Sequence, residues 1–404
     1  MKKIIFVLVL MLVLMIPITS HADIEDDEEI VDWSALAREL ADLEKNSDAP
    51  NIYAKAAIVF DRESKSAIYE KNSYEKVPMA STTKIMTAII AIEKGSMQDV
   101  IEVSSKAASI HGSRLGLRKG DKIKLIDLLY GLMLCSGNDA AVAISEYVGG
   151  SIEGFAQLMN EKAQEIGALD SNFITPHGLD NDLHYTTAFD LALITDYALE
   201  NKLFFEICKT KEMTVYINNS YKNIRNTNEL LGNMNGVQGV KTGFTNNAGR
   251  CLVTYCIRGE LKLISVVLGC DTKIQRAKES KSILEYGFEN YKLMNINEII
   301  DENPIIQKVD IYKGKKGQAD ICIERSQKNI FIIRKDETKN IKVKTDMISA
   351  INAPANKGVV IGKYVVYLDE KILIEDNIIL NENVERKNIT DYFLQIIQKC
   401  RFLY

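Results

Sequence analysis

Histidine, proline and tryptophan are scarce in this chain of 404 residues, which holds four, six and one of them. Four histidines and no C-x-x-C pair leave no ligand set at zinc spacing, so no metal and no cofactor is expected. There is no G-x-x-x-x-G-K-[ST] loop and no G-x-G-x-x-G after a strand, which removes the usual hooks for nucleotide chemistry. Basic residues are not in excess, with 50 Lys+Arg against 55 Asp+Glu and a net charge of -5. Without clustered Lys and Arg to neutralise phosphates, nucleic acid is not expected as a partner. No apolar run reaches the ~20 residues that span a bilayer. What remains is ordinary globular composition, 46% hydrophobic and 26% charged, at a length that predicts two or three domains.

The start of the chain reads as an export signal. Lys2 and Lys3 precede an apolar run from Ile4 to Ile18, then Ser20 and Ala22 stand at the −3 and −1 positions of a cut before Asp23. Residues 1–22 are therefore expected to be a signal peptide, and the protein to work outside the cytoplasm. Seven cysteines are an odd number, so at least one thiol is unpaired within the chain. Cys251 and Cys256, five apart in a strand-like run, fall on opposite faces. No disulfide framework emerges, and most of the cysteines read as buried apolar residues.

An acidic stretch and a short helical pattern fill residues 23–50, which read as a solvated linker. From Ile52 the pattern becomes dense. Ala56–Asp61 and Ser66–Glu70 read as a hairpin, and Ile85, Ala88, Ile89 and Ile92 mark a helix opening after Pro78. Helical patterns follow over 126–133, 140–148, 152–165 and 187–200, then strands over 251–257 and 262–268 and a helix over 273–286. Strands, then helices, then strands predict an α+β domain with a mainly antiparallel sheet, placed at 51–297. Short strand candidates at regular spacing over 298–382 predict a small all-β sandwich or barrel. The last stretch, 383–404, reads as an amphipathic helix with Ile389, Tyr392, Phe393, Ile396 and Ile397 on one face. It is either an in-plane membrane helix or a helix packed on its own β domain.

Three short motifs carry the chemistry: Ser81-Thr82-Thr83-Lys84, Ser136-Gly137-Asn138 and Lys241-Thr242-Gly243. S-x-x-K also occurs at Ser73-Tyr74-Glu75-Lys76, but Ser73 lies outside any amphipathic pattern, whereas Ser81 opens the buried helix. Positions i and i+3 share a helix face, so Lys84 reaches the Ser81 hydroxyl, which needs such a base to become a nucleophile. Asn138 offers an amide to orient a carbonyl and Lys84, and Ser136 a hydroxyl for proton relay. Lys241 supplies positive potential, Thr242 a hydroxyl, and Gly243 room for a substrate backbone. One at a time, Ser81 reads as a helix cap, Asn138 as a turn residue and Lys241 as a solvated charge. The three together in this order do not.

With these motifs the sequence resembles the penicillin-binding, active-site-serine enzymes, and among them the low-molecular-mass D-alanyl-D-alanine carboxypeptidases. Pro78–Lys84, Cys135–Ala141, His177-Gly178-Leu179-Asp180 and Lys241–Thr245 all read like that family, as does the order of leader, catalytic domain, β domain and terminal helix. The resemblance implies a serine β-lactamase/transpeptidase-like catalytic domain. It implies that Ser81 attacks the carbonyl between the two terminal D-alanines of a peptidoglycan stem peptide while Lys84 takes its proton. It further implies that Ser136 and Lys241 pass the proton to the leaving nitrogen and that Asn138 positions the substrate. The N–H groups of Ser81 and Phe244 would form the oxyanion hole, and Thr242 and Arg276 would hold the terminal carboxylate. β-Lactams would acylate Ser81 covalently, and the terminal helix would tether the enzyme to the outer face of the cytoplasmic membrane. Position 244 is Phe where many relatives have His. His177 and His184 read as structural loop residues.

Three rivals share the scaffold. A class A β-lactamase needs E-x-x-L-N between the second and third motifs; Glu229-Leu230-Leu231-Gly232-Asn233 lacks the Leu and sits almost against Lys241. A silent β-lactam sensor should show a damaged motif, and none is damaged. Endopeptidase or transpeptidase activity differs only in the scissile bond or the acceptor, and stays open.

Overall fold

The computed structural model of the protein describes residues 49–302 and 308–401. The expected leader, most of the acidic linker, the helical pattern around Trp33–Leu43 and the last three residues lie outside them. The chain divides into two compact units between Glu289 and Asn290.

The first unit is built on a five-stranded antiparallel sheet. In chain order its framework is β1 (Ala56–Asp61), β2 (Ser66–Lys71), α1 (Lys84–Lys94), α2 (Leu125–Leu134), α3 (Asn138–Gly149), α4 (Ile152–Ile166), α5 (Ala188–Ala198), α6 (Lys202–Lys209), β3 (Val237–Thr245), β4 (Gly249–Arg258), β5 (Leu261–Cys270) and α7 (Lys273–Asn290). The sheet order is β2-β1-β5-β4-β3, so the first hairpin is joined to the last three strands by β1 on β5, Ala56 opposite Leu268. Every residue of β1 is buried, because helices cover both faces of the sheet. On one face Ile58, Phe60, Val253, Ile264 and Val266 enter the large helical core. On the other, Ser280 of α7 shares hydrogen bonds with Thr254 (3.1 Å) and Ser265 (2.8 Å). Residues Lys84–Ala91 of α1 are buried on all sides, the mark of a helix through an interior rather than on a surface.

Four short strands, Val100–Glu102, Lys122–Lys124, Glu212–Ile217 and Ser220–Arg225, form a second sheet that the sequence reading did not anticipate. Cys208, Cys251, Cys256 and Cys270 are buried, Cys135 and Cys322 half-buried, and none is disulfide-bonded among the described residues.

The second unit opens earlier than the expected boundary at 297/298, because Tyr291–Asn295 already pairs with Ile330–Arg334. Its larger sheet runs Ile341–Met347, Val360–Leu368, Lys371–Leu380, Gln318–Glu324, Lys308–Tyr312, Ala350–Asn352. Val309, Ile321, Tyr364, Val366, Ile378 and Leu380 fill its core. The terminal helix spans Ile389–Arg401 and starts later than expected, since Val384 still pairs with Ala355 and Arg386 with Gly314. Asn388 caps it: its Oδ1 accepts from Asp391 N–H at 2.9 Å while its own N–H donates to Asp391 Oδ2 at 2.8 Å. Ile389, Phe393, Ile396 and Ile397 of this helix are exposed rather than packed. Among the described residues no helix is long and apolar enough to cross a membrane.

Candidate active site

Ser81 stands in a 3-10 turn, Ala80–Thr83, that runs directly into α1. Residues i and i+3 of such a turn eclipse each other, which brings the first α-helical residue over the serine. Lys84 Nζ accordingly donates to Ser81 Oγ at 2.6 Å, and Ser81 is not a helix cap. Ala80 adopts φ +48°, a left-handed conformation that disfavours a side chain, so neighbours must hold it. Thr83 Oγ1 donates to Ala80 O at 2.8 Å. Gly178, at φ +84°, presses so close that a Cβ on it would sit 1.9 Å from Ala80 O. His184 completes the brace. Its Nδ1 accepts from Ile174 N–H at 2.9 Å, so Nε2 carries the proton and donates to Thr83 Oγ1 at 2.8 Å. Burial pushes the His184 pKa down to about 4, so the ring is neutral at pH 7. Burial, and then the Lys84 charge, hold His177 well below the usual histidine range.

Lys84 is fully buried, and besides Ser81 it donates to Asn138 Oδ1 (2.8 Å) and to His177 O (2.9 Å). Asn138 is the first residue of α3 and is itself fixed. Its Nδ2 donates to His111 O and its backbone N–H to Ser113 O, both at 2.8 Å. The loop providing those carbonyls is gathered by Asp139, whose buried carboxylate accepts the N–H groups of Leu115, Gly116 and Leu117 at 2.7–2.9 Å. Ser136 has φ +61°, and its hydroxyl is buried with no hydrogen-bond partner among the described residues.

β3 closes the site as the edge strand of the sheet. Gly243 lets it approach the Ser81 turn: a Cβ there would lie 3.0 Å from Ser81 N and 3.1 Å from Ala80 Cβ. Lys241, buried, donates to Thr242 O at 2.9 Å. Thr242 Oγ1 shares a 2.6 Å hydrogen bond with Thr227 Oγ1. Phe244 is half-buried, with the Arg250 guanidinium 3.9 Å from its ring centre. Arg276, in the first turn of α7, donates through Nη1 to Gly243 O at 3.3 Å and is ion-paired to Glu229.

The fold thus ties Ser81, Lys84 and Asn138 into one hydrogen-bonded group and lays Gly243 against it. Arg276 lies beside the same strand, with its fork already engaged by Glu229. His184 is the structural loop residue that the sequence suggests, while sequence reasoning missed the bracing role of Gly178, the loop-gathering Asp139, Thr227, and Glu229 as an arginine partner. Asp139 and Gly178 stood inside family-like segments, but nothing local says which distant backbone they touch. In the sequence Glu229 stands out only as the first residue of an incomplete E-x-x-L-N.

Comparison with known proteins gives a consistent result. The family described as D-alanyl-D-alanine carboxypeptidase matches residues 43–272, and the one described as penicillin-binding protein 5, C-terminal domain, matches residues 288–386. The D-alanyl-D-alanine carboxypeptidase DacF of Bacillus subtilis is 33% identical over 340 residues, 82% of this chain and 86% of that protein. Among solved structures, the D-alanyl-D-alanine carboxypeptidase DacD from Francisella tularensis superposes with a TM-score of 0.71 at 26% identity, covering 86% of this chain and 97% of that one. Penicillin-binding protein 5 from Haemophilus influenzae gives 0.68 at 29%, covering 84% and 99%.

Proposed function

We propose, from the premise that this chain belongs to the D-alanyl-D-alanine carboxypeptidase family, how its residues divide the reaction. The protein is a serine-type D-Ala-D-Ala carboxypeptidase, a penicillin-binding hydrolase of the cell wall. The observation that carries the assignment of roles is the 2.6 Å bond between Ser81 Oγ and Lys84 Nζ.

Ser81 Oγ attacks the carbonyl carbon between the two terminal D-alanines of a peptidoglycan stem peptide. Its proton passes to Lys84 along the existing bond. For that Lys84 must first give up the proton it donates to Ser81, its two remaining N–H bonds directed to Asn138 Oδ1 and His177 O so that the lone pair faces Ser81. The negative oxygen that develops is received by the N–H groups of Ser81 and Phe244, donors already in place before the charge forms. Ser136 and Lys241 carry the proton on to the leaving D-alanine nitrogen, the C–N bond breaks, and water then hydrolyses the ester on Ser81. Thr242, Gly243 and Arg276 receive the donor's C-terminal end, and Asn138 aligns its amide. A β-lactam follows the same path to a slowly hydrolysed ester on Ser81.

The test is D-alanine release from diacyl-L-Lys-D-Ala-D-Ala, beside covalent penicillin labelling. Ser81→Ala should abolish both, while Ser73→Ala, whose hydroxyl only donates to Glu70 at 2.7 Å, should leave labelling unchanged. Labelling that survives Ser81→Ala would sink the assignment.

The exposed Ile389, Phe393, Ile396 and Ile397 support a second part of the reading. The protein acts outside the cytoplasm, and this helix lies in the outer surface of the cytoplasmic membrane. Sedimentation with phosphatidylglycerol vesicles should fall sharply in Phe393→Glu/Ile396→Glu while peptide hydrolysis in solution is kept. Equal sedimentation of both proteins would remove the anchor.

A further inference from the structure

Arg276 stands where the donor's carboxylate is to be received, yet its guanidinium is already engaged. Nε donates to Glu229 Oε1 at 3.1 Å, Nη2 donates to the same oxygen, and Nη1 donates to Gly243 O. Both side chains are buried, 5% and 2% exposed. A buried ion pair placed only for stability would satisfy both carboxylate oxygens, usually as a two-pronged fork. Here the fork is not formed. Glu229 Oε2 is buried with no hydrogen-bond partner among the described residues, so one carboxylate oxygen is left open beside the site.

The electrostatic consequence follows from the contact itself. A guanidinium touching a carboxylate presents little net charge to a third group, and an incoming anion meets Glu229 as a like charge. Neither effect is screened as it would be at a surface, because both groups are out of solvent. Resting on the reading that Thr242 and Arg276 receive the donor's C-terminus, we propose that Glu229 sets the selectivity for that end. By neutralising Arg276 it relaxes the demand for a free carboxylate and lets acyl donors with an uncharged C-terminus compete. Glu229 touches no reacting atom; it is a positioning residue acting through Arg276.

The experiment uses the full chain and compares diacyl-L-Lys-D-Ala-D-Ala with its C-terminal carboxamide. Glu229→Gln keeps an acceptor for Arg276 and removes the charge. It should raise the acid-to-amide ratio of kcat/KM about tenfold, through a lower KM for the acid at unchanged kcat for the amide. Adding Arg276→Gln should abolish that gain. An unchanged ratio, or equal losses on both donors, overturns the proposal, since a purely structural role would move both together. Arg276→Gln alone tests the underlying reading: if it leaves the parent's ratio untouched, Arg276 does not meet the carboxylate, and the proposal falls with it. Should the parent release no D-alanine, the carboxypeptidase reading fails by itself. The same ratio is then read from Ser81 acylation by benzylpenicillin and by its methyl ester. Should Glu229→Gln not fold, Glu229→Asp withdraws the charge by one methylene and should shift the ratio in the same direction; no shift overturns the proposal.

Discussion

Lowering the pH from 7 to 4.5 should cost the folded protein about 2 kcal/mol through His184 alone. The ring is 3% exposed, accepts at Nδ1 from Ile174 N–H and donates at Nε2 to Thr83, and packs edge-on against Phe173. A second proton has no acceptor to meet and would end the bond from Ile174. Burial holds the folded pKa down to about 4, against about 6.5 for a free histidine. The sign follows from which state binds the proton first. Between these two values the unfolded chain is protonated and the folded one is not, so stability is complete above about pH 6.5 and drains away as the pH falls towards 4. The full gap of about 2.5 pH units corresponds to about 3 kcal/mol, of which about 2 has been lost by pH 4.5. The assay is urea unfolding at pH 7 and 4.5 of the parent and of His184→Gln, whose amide can still donate to Thr83 but does not titrate. Titrating groups remote from His184 are common to both proteins and cancel in the difference, and His177, lowered chiefly by its own burial, changes little between them. The parent should lose about 2 kcal/mol more than the variant on acidification. Equal losses in the two proteins would refute the account of His184 as a buried, neutral brace. Because the brace ends on Thr83 and Ala80, penicillin acylation by the parent should fall in the same acid range.

Two substitutions probe the same turn and its neighbouring loop. Gly178→Ala places a methyl group against Ala80 O at a φ that already disfavours it, so the backbone next to Ser81 must move. Acylation by penicillin, followed in a stopped-flow mixer, should slow about 100-fold, the scale of an ångström of misplacement; an unchanged rate would show that the two segments part freely. Asp139→Asn turns an amide N–H onto one of the backbone N–H groups that the carboxylate now accepts. The urea midpoint should reveal about 3 kcal/mol of lost stability, as for a broken buried charge, and kcat should fall by more than KM rises, because the loop that holds Asn138 slackens. A variant with the parent's urea midpoint would show that the loop needs no gathering.

The parts of this protein that were legible in its sequence are those whose cause is local. The hairpin at Ala56–Asp61 and Ser66–Lys71 pairs a short apolar run with a second run only a few residues on, and α1 announces itself by period. The choice of Ser81 over Ser73 was local too, and its physical content is now visible. Ser73 is tied to Glu70 and Lys76 is ion-paired to Asp170, while Ser81 is hydrogen-bonded to the lysine of its own motif. The second sheet escaped notice because its strands are short and the last of them, Ser220–Arg225, is exposed at nearly every position, so tertiary pairing rather than pattern makes it. The boundary between the units was displaced for a similar reason. Tyr291–Asn295 is half-buried throughout, without the alternation that marks a strand.

The site divides along the same line. Ser81 and Lys84 are three residues apart and could be joined by helical geometry alone, and Thr83 braces the turn locally, but their other partners come from far away in the chain. Asn138 lies 54 residues from Lys84, His184 is 101 residues from Thr83, and Arg276 is 47 from Glu229. Contacts of that separation are set by topology, which brings α1, the start of α3 and the edge strand β3 to one place, and no short motif encodes them. Glu229 makes the point most sharply. As sequence it was a motif with one residue missing; in the fold it is the counter-charge to an arginine beside Gly243. Its significance is therefore a property of the pair, and only the paired measurement on Glu229 and Arg276 can establish it.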